Sequence, residues 1–131
     1  MPSIEITPLY AGLIALLMAA LATRTALTRI KNRVPLGDGG NDGLALEIRR
    51  FGNLAEYAPI AMIVLLLLEL KGIPASWLHA FGATFVALRL LHPLSFYGTP
   101  GQPKWRVIGR VISTAGTATL LAVGGVGLVV G

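Results

Sequence analysis

The sequence predicts an all-α integral membrane protein, a bundle of four transmembrane helices. Three observations predict it. Only 13% of the 131 residues are charged and 54% are hydrophobic, whereas a soluble domain carries roughly 25% charged residues. Uncharged runs cover residues 6–23, 72–88 and 111–131, each close to the roughly 20 apolar residues that cross a bilayer. A fourth apolar stretch, 51–70, has the right length but holds Asn53, Glu56 and Glu69. The helices are expected over about 5–28, 48–70, 74–97 and 105–130, as one membrane domain spanning 1–131.

Helix 1 is small and apolar. No basic residue precedes its apolar run, and its first Arg, Arg24, follows it, so it does not read as a cleavable signal peptide. The segment PLGDGGNDG, residues 35–43, is a plain flexible turn: Pro and Gly break the helix, and Asp and Asn favour turns. It lacks the Glu that would complete a calcium loop and the Lys-Ser/Thr that would complete a phosphate loop.

Helix 2 opens with EIRRFGNLAEY, residues 47–57, and closes at Gly72 and Pro74. Glu69 and Lys71 read as solvated helix-end residues. Helix 3 carries Trp77 and Tyr97 near its two ends, as aromatic belt residues sit. His79 falls near one interface, and Pro93 can kink the helix. Helix 4 is rich in Gly, Ala, Ser and Thr, and Gly116, Gly124 and Gly127 allow close helix approach in lipid, within a subunit or between subunits.

The 11 basic residues are distributed unevenly over this plan. Ten fall at the end formed by the 1–2 and 3–4 connections, and Lys71 alone falls at the other. The positive-inside rule places those two loops in the cytoplasm and both termini outside. Topology accounts for the charge without nucleic acid, since no aromatic interleaving accompanies it. The chain has no cysteine and two histidines without metal-ligand spacing, so neither a disulfide nor a metal site is expected.

Polar side chains concentrate in the cytoplasmic half. Arg49, Asn53 and Glu56, spaced by four and three, share one helix face, with Tyr57 adjacent. Helix 3 adds Arg89 and His92, helix 4 adds Arg106 and Arg110, and helix 1 adds Arg24 and Arg29. Ionisable residues within a span mark function by default. A cationic pocket with one carboxylate suits a small ligand bearing two carboxylates and an ammonium: the Arg residues hold carboxylates, Glu56 meets the ammonium, and Asn53 bonds an amide. An Arg beside a bound thiol favours the thiolate. Simpler readings stand beside these. Arg29, Lys31 and Arg33 serve as topology signals, Glu56 neutralises Arg49 or Arg89, Asn53 is interhelical glue, and His92 is a satisfied interfacial residue.

The pattern E-x-R-x-x-x-N-x-x-E-Y at residues 47–57 resembles the family called membrane-associated proteins in eicosanoid and glutathione metabolism. The opening of RLLHPLSF in helix 3 looks like its prostaglandin E synthase branch. The GDGG loop and the run YAPIAMIVLLLLELKG look like its bacterial members.

The resemblance implies a homotrimer with glutathione, as co-substrate, bound between subunits. It implies transferase or peroxidase chemistry on lipophilic electrophiles arriving through the bilayer, here a bacterial inner membrane. By matching position, Arg49, Asn53, Glu56 and Tyr57 contact glutathione, Arg89 and His92 line the site, and Arg24 or Arg29 serves its carboxylates. Arg106 stabilises the thiolate, with Arg110 as the fallback. The chain departs from the pattern where Phe96 replaces a Tyr of some members and where His92 replaces the Tyr of the leukotriene-forming branch. Two other readings remain: a non-catalytic membrane protein binding glutathione or a lipid-like ligand, and a small transporter using Glu56 as its coupling carboxylate.

Overall fold

The computed structural model describes residues 3–97 and 101–131, and every regular element among them is helical. In chain order these are α1 (Ile6–Asn32), α2 (Asp42–Leu70), α3 (Ala75–Ser95) and α4 (Lys104–Val130). The part of the 3–4 connection at 98–100 lies outside the described residues.

Helix ends follow local chemistry. α1 runs beyond 28 because nothing breaks it before Arg33, which takes a left-handed conformation (φ 55°) and donates its N–H to Ile30 and Arg29 carbonyls. α2 begins six residues before 48 because Asn41 is an N-cap: its side-chain oxygen accepts from the Leu44 N–H at 2.9 Å, satisfying a donor with no intrahelical partner. The turn before it has the expected chemistry but is tied down. Arg29 donates to Gly37 O at 2.7 Å and Asn41 Nδ2 to Asn32 Oδ1 at 2.9 Å, while Gly37, Gly39 and Gly40 take the positive φ that glycine allows.

At 1.5 Å per residue, α2 is about 43 Å long and α3 about 31 Å, against a hydrocarbon core of about 30 Å. α1, α2 and α4 are long and apolar enough to cross a membrane. α3 is not in that set, because Arg89, His79 and His92 lower its mean hydropathy. It matches the core in length and turns Arg89 and His92 into the bundle, where both are buried.

Successive helices pack antiparallel, α2 and α3 touch each other, and α1 and α4 do not meet among the described residues. α2 and α3 are therefore the central pair, flanked at opposite corners. Two apolar clusters fill the end near the termini and the middle, one around Tyr10, Leu65 and Phe81, the other around Ile14, Leu54 and Phe85. Beyond them the interior turns polar.

α4 buries only Gly109, Ser113, Thr117 and Gly124, a seam of small residues that lets backbones approach. A Cβ on Gly124 would stand 2.7 Å from Val64 Cγ1 and 2.8 Å from Phe81 Cε2, and one on Gly116 2.9 Å from Leu88. These two glycines are consumed by packing inside the subunit. Gly127 has ordinary room, with its nearest neighbour at 3.6 Å.

The end near the termini holds a correction. Glu69 is not solvated: it is 6% exposed and caps α1. Its Oε1 accepts from the N–H groups of Glu5 and Ile6, both at 2.7 Å, and its Oε2 from Thr7 at 2.8 Å. A carboxylate there satisfies orphan donors and meets the positive end of the helix dipole. Lys71 Nζ, on α2's C-cap, donates to Leu128 O near the end of α4 at 3.2 Å, so α2's last turn secures both outer helices.

Candidate functional site

The basic end brings most of the sequence-derived residues together, in three groups. The first is on the open face of α2. Arg49 Nη1 and Glu56 Oε1 form an ion pair at 3.1 Å, with side chains 53% and 56% exposed. Glu56 lies fourteen residues from either end of α2, hence about 21 Å from each, at the middle of the longest helix.

The second group is internal. Arg89 is 1% exposed. Its Nη1 donates to Asn53 Oδ1 at 2.5 Å, and its Nη2 to Ser113 O at 2.8 Å and to Thr117 Oγ1 at 2.6 Å. The Tyr57 and Phe85 rings lie 5.4 and 5.9 Å from the guanidinium carbon. No ion pair reaches Arg89 among the described residues. Asn53 and Arg89 bond to each other, and with Ser113 and Thr117 they tie α2, α3 and α4 together. A buried guanidinium needs acceptors wherever they are, and Asn53 with the polar seam of α4 supplies them. His92 is likewise buried, stacked on Phe96 at 5.3 Å, and Arg110 lies over the same Phe96 ring at 5.4 Å.

The third group is a clamp. Glu47 Oε1 accepts from Arg50 Nη1 at 2.8 Å and from Arg24 Nη2 at 2.9 Å. Arg50 then donates through Nε and Nη2 to Phe96 O, at 3.2 and 2.8 Å. This fastens α1 and α2 to the end of α3. The guanidiniums of Arg50 and Arg106 both lie over the Tyr97 ring, at 5.3 and 3.8 Å. Arg24, Arg50, Tyr97 and Arg106 edge one cavity of about 440 Å³. Arg106 and Arg110 edge a second, of about 300 Å³, beside Ser95.

Arg29 stands apart. Its contacts go to the α1–α2 loop, which accounts for it without a ligand. Arg24 is engaged by Glu47, so of the two helix 1 candidates only Arg24 adjoins the cluster. Among the described residues no group of three or more His, Cys, Asp or Glu could hold a metal. Neither cavity includes Arg49 or Glu56, and no described bond links that pair to Arg106 within one chain.

A model of the MAPEG family matches residues 7–126. The chain belongs to the MAPEG family. Its relatives include the inner membrane protein YecN of Escherichia coli strain K12 and that of strain O6:H1 CFT073. Each is 37% identical over 92 residues, 70% of this chain and 70% of the relative. No solved structure matches the chain significantly. As a MAPEG protein the chain is an integral membrane protein, in keeping with its apolar helices.

Reading the sequence missed Glu47 and Arg50 as a pair. Their spacing of three within α2 was the available signal, since such residues meet on a helix surface. Nothing local marked Phe96 O as Arg50's acceptor. In this MAPEG chain the E-x-R-x-x-x-N-x-x-E-Y pattern thus divides by direction: Glu47 and Asn53 turn inward as supports, and Arg49 and Glu56 turn outward.

Proposed function

We propose that this protein is a membrane-bound glutathione transferase or peroxidase-like enzyme acting on lipophilic electrophiles. The supporting observation is the Arg49–Glu56 pair. Both side chains are more than half exposed, and Glu56 is at mid-helix in an integral membrane protein. Charges facing lipid at that depth are costly, so a covering partner is needed. A second and third copy of the chain, closing a homotrimer, form a cleft over this face. Glutathione fits its charges: Arg49 takes a carboxylate and Glu56 the ammonium, with Tyr57 lining the cleft and Asn53, Arg89 and His92 supporting it from behind.

Across the subunit boundary Arg106 holds the sulfur as thiolate, with Arg110 and Arg24 adding positive potential. The thiol proton leaves to water, and the thiolate attacks an apolar electrophile entering from the bilayer, forming a carbon–sulfur bond as the leaving group departs with its electron pair. With a lipid hydroperoxide it attacks the terminal oxygen, the O–O bond breaks, and the lipid leaves as its alcohol after taking a proton from water. A second glutathione then reduces the resulting sulfenic acid, giving the disulfide and water. The chain contributes positioning and charge stabilisation, without a covalent intermediate on the protein. Like the relatives named for it, the protein occupies a bacterial inner membrane. The basic end faces the cytoplasm, from which glutathione enters the cleft, and both termini lie outside.

One observation favours a second reading. Arg106 rests over Tyr97 at 3.8 Å, a cation–π contact that engages the charge assigned to the sulfur. A protein that binds glutathione or a lipid-like ligand without turnover would keep it there.

Equilibrium binding of glutathione to detergent-purified protein tests the proposal, wild type beside Arg49→Ala. Saturable binding that the substitution weakens at least tenfold is expected, the scale of losing hydrogen bonds to a charged group. Absence of binding to folded wild type overturns the glutathione mechanism. Binding without conjugation or peroxide reduction across a panel of electrophiles selects the second reading.

A further inference from the structure

The clamp's excess charge and the leucines beneath it form one continuous feature. α1 and α3 both run toward the basic end. The cavity of about 440 Å³ between them is walled by Leu17 and Leu21 on α1 and by Leu90 and Leu94 on α3. Leu90 and Leu94 are 47% and 64% exposed, so this wall opens outward, to lipid. One or two turns nearer the helix ends the lining changes to Arg24, Arg50 and Arg106. Leu17 and Arg24 are seven residues apart, about 10 Å along the axis. Three guanidiniums face one carboxylate, Glu47, leaving two positive charges uncompensated within the clamp. Arg50 spends its donors on Glu47 and Phe96, but Arg24 is largely exposed and gives only Nη2 to Glu47.

We propose that this α1–α3 groove is a binding site for one anionic phospholipid, its phosphate between Arg24 and Arg106 and an acyl chain along Leu17, Leu21, Leu90 and Leu94. Basic pockets between transmembrane helices select anionic headgroups in this way. A free phosphate would satisfy the arginines but leave the leucine wall unexplained. A zwitterionic lipid would fill the wall but leave the excess charge. The inference shares Arg106 and Arg24 with the glutathione proposal, and its failure is distinguishable from the failure of that reading because its readout is lipid retention, with no glutathione present.

The experiment is native mass spectrometry of delipidated protein given equal amounts of a phosphatidylglycerol and a phosphatidylcholine of the same acyl chains. One retained phosphatidylglycerol per chain is expected. Arg24→Gln lowers the preference about fivefold, the effect of one basic charge near a headgroup, and Arg24→Lys restores most of it. Ala20→Trp, at an exposed position lining the groove, blocks both lipids while the melting temperature holds. Equal retention of the two lipids by wild type overturns the proposal, and so does retention of phosphatidylglycerol by Ala20→Trp. Displacement of the lipid by millimolar inorganic phosphate makes the site one for free anions and also overturns it. If Ala20→Trp changes the subunit number instead, the groove is a contact between copies and the lipid assignment fails.

Discussion

The side-chain oxygen of Asn53 accepts a 2.5 Å hydrogen bond from Nη1 of Arg89, joining α2 to α3 inside the polar half of the bundle. Arg89 has no carboxylate partner among the described residues, so this bond is one of three that make its burial tolerable. Asn53→Ala is expected to destabilise the protein by about 1–3 kcal/mol, the cost of leaving a buried donor unpaired. Asn53→Asp supplies a charged acceptor and should retain stability. Thermal unfolding in a single detergent checks both, and an unchanged melting temperature in Asn53→Ala would remove the bracing role.

Glu69 and Glu56 provide opposite expectations for the same substitution. Glu69 accepts three backbone N–H groups at the start of α1. Glu69→Gln should lose about 1 kcal/mol, combining a weaker cap with the lost charge–dipole attraction. Glu56→Gln removes the carboxylate that the proposal sets against the glutathione ammonium, touches no backbone cap, and should act chiefly on glutathione affinity. Melting temperature and binding, measured on both variants, separate the two. A stability loss confined to Glu56→Gln would reverse the assignment.

Helix 4 offers a packing test within one element. Gly124→Ala places a methyl 2.7 Å from Val64 and 2.8 Å from Phe81, and overpacking of this kind costs about 1–3 kcal/mol. Gly125→Ala meets nothing within 4 Å and should be neutral or slightly stabilising, because Ala is the better helix former. Equal melting temperatures would mean that α4 shifts to absorb the methyl.

Arg106→Ala is expected to abolish turnover while glutathione binding falls by less than tenfold, since the proposal assigns recognition to Arg49 and Glu56. The ultraviolet absorbance of the bound thiolate, titrated against pH, should move to higher pH when the cation is removed. Undiminished turnover would shift the role to Arg110. Tyr97→Phe, which keeps the ring under Arg106, serves as the control and should leave the titration in place.

Much of this protein was legible in its sequence. Runs of apolar residues and their lengths are local properties, and they determined four helices, a membrane setting and a single basic end. The E-x-R-x-x-x-N-x-x-E-Y pattern determined the family. Local signals could not say which polar residue meets which partner. Arg49 and Asn53 are four apart and differ by only about 40° around α2, yet one is exposed and the other sealed against Arg89. Arg24 and Arg29 look alike in sequence, but Glu47 takes the first and the loop carbonyls take the second. Glu69 read as a helix-end carboxylate until the first turn of α1 arrived beside it. Each of these outcomes depends on the azimuth and register of a neighbouring helix, which are set by packing between distant segments. At the basic end and at Glu69 alike, the sequence supplied the charges, and only the tertiary structure decided which of them remain available to a ligand.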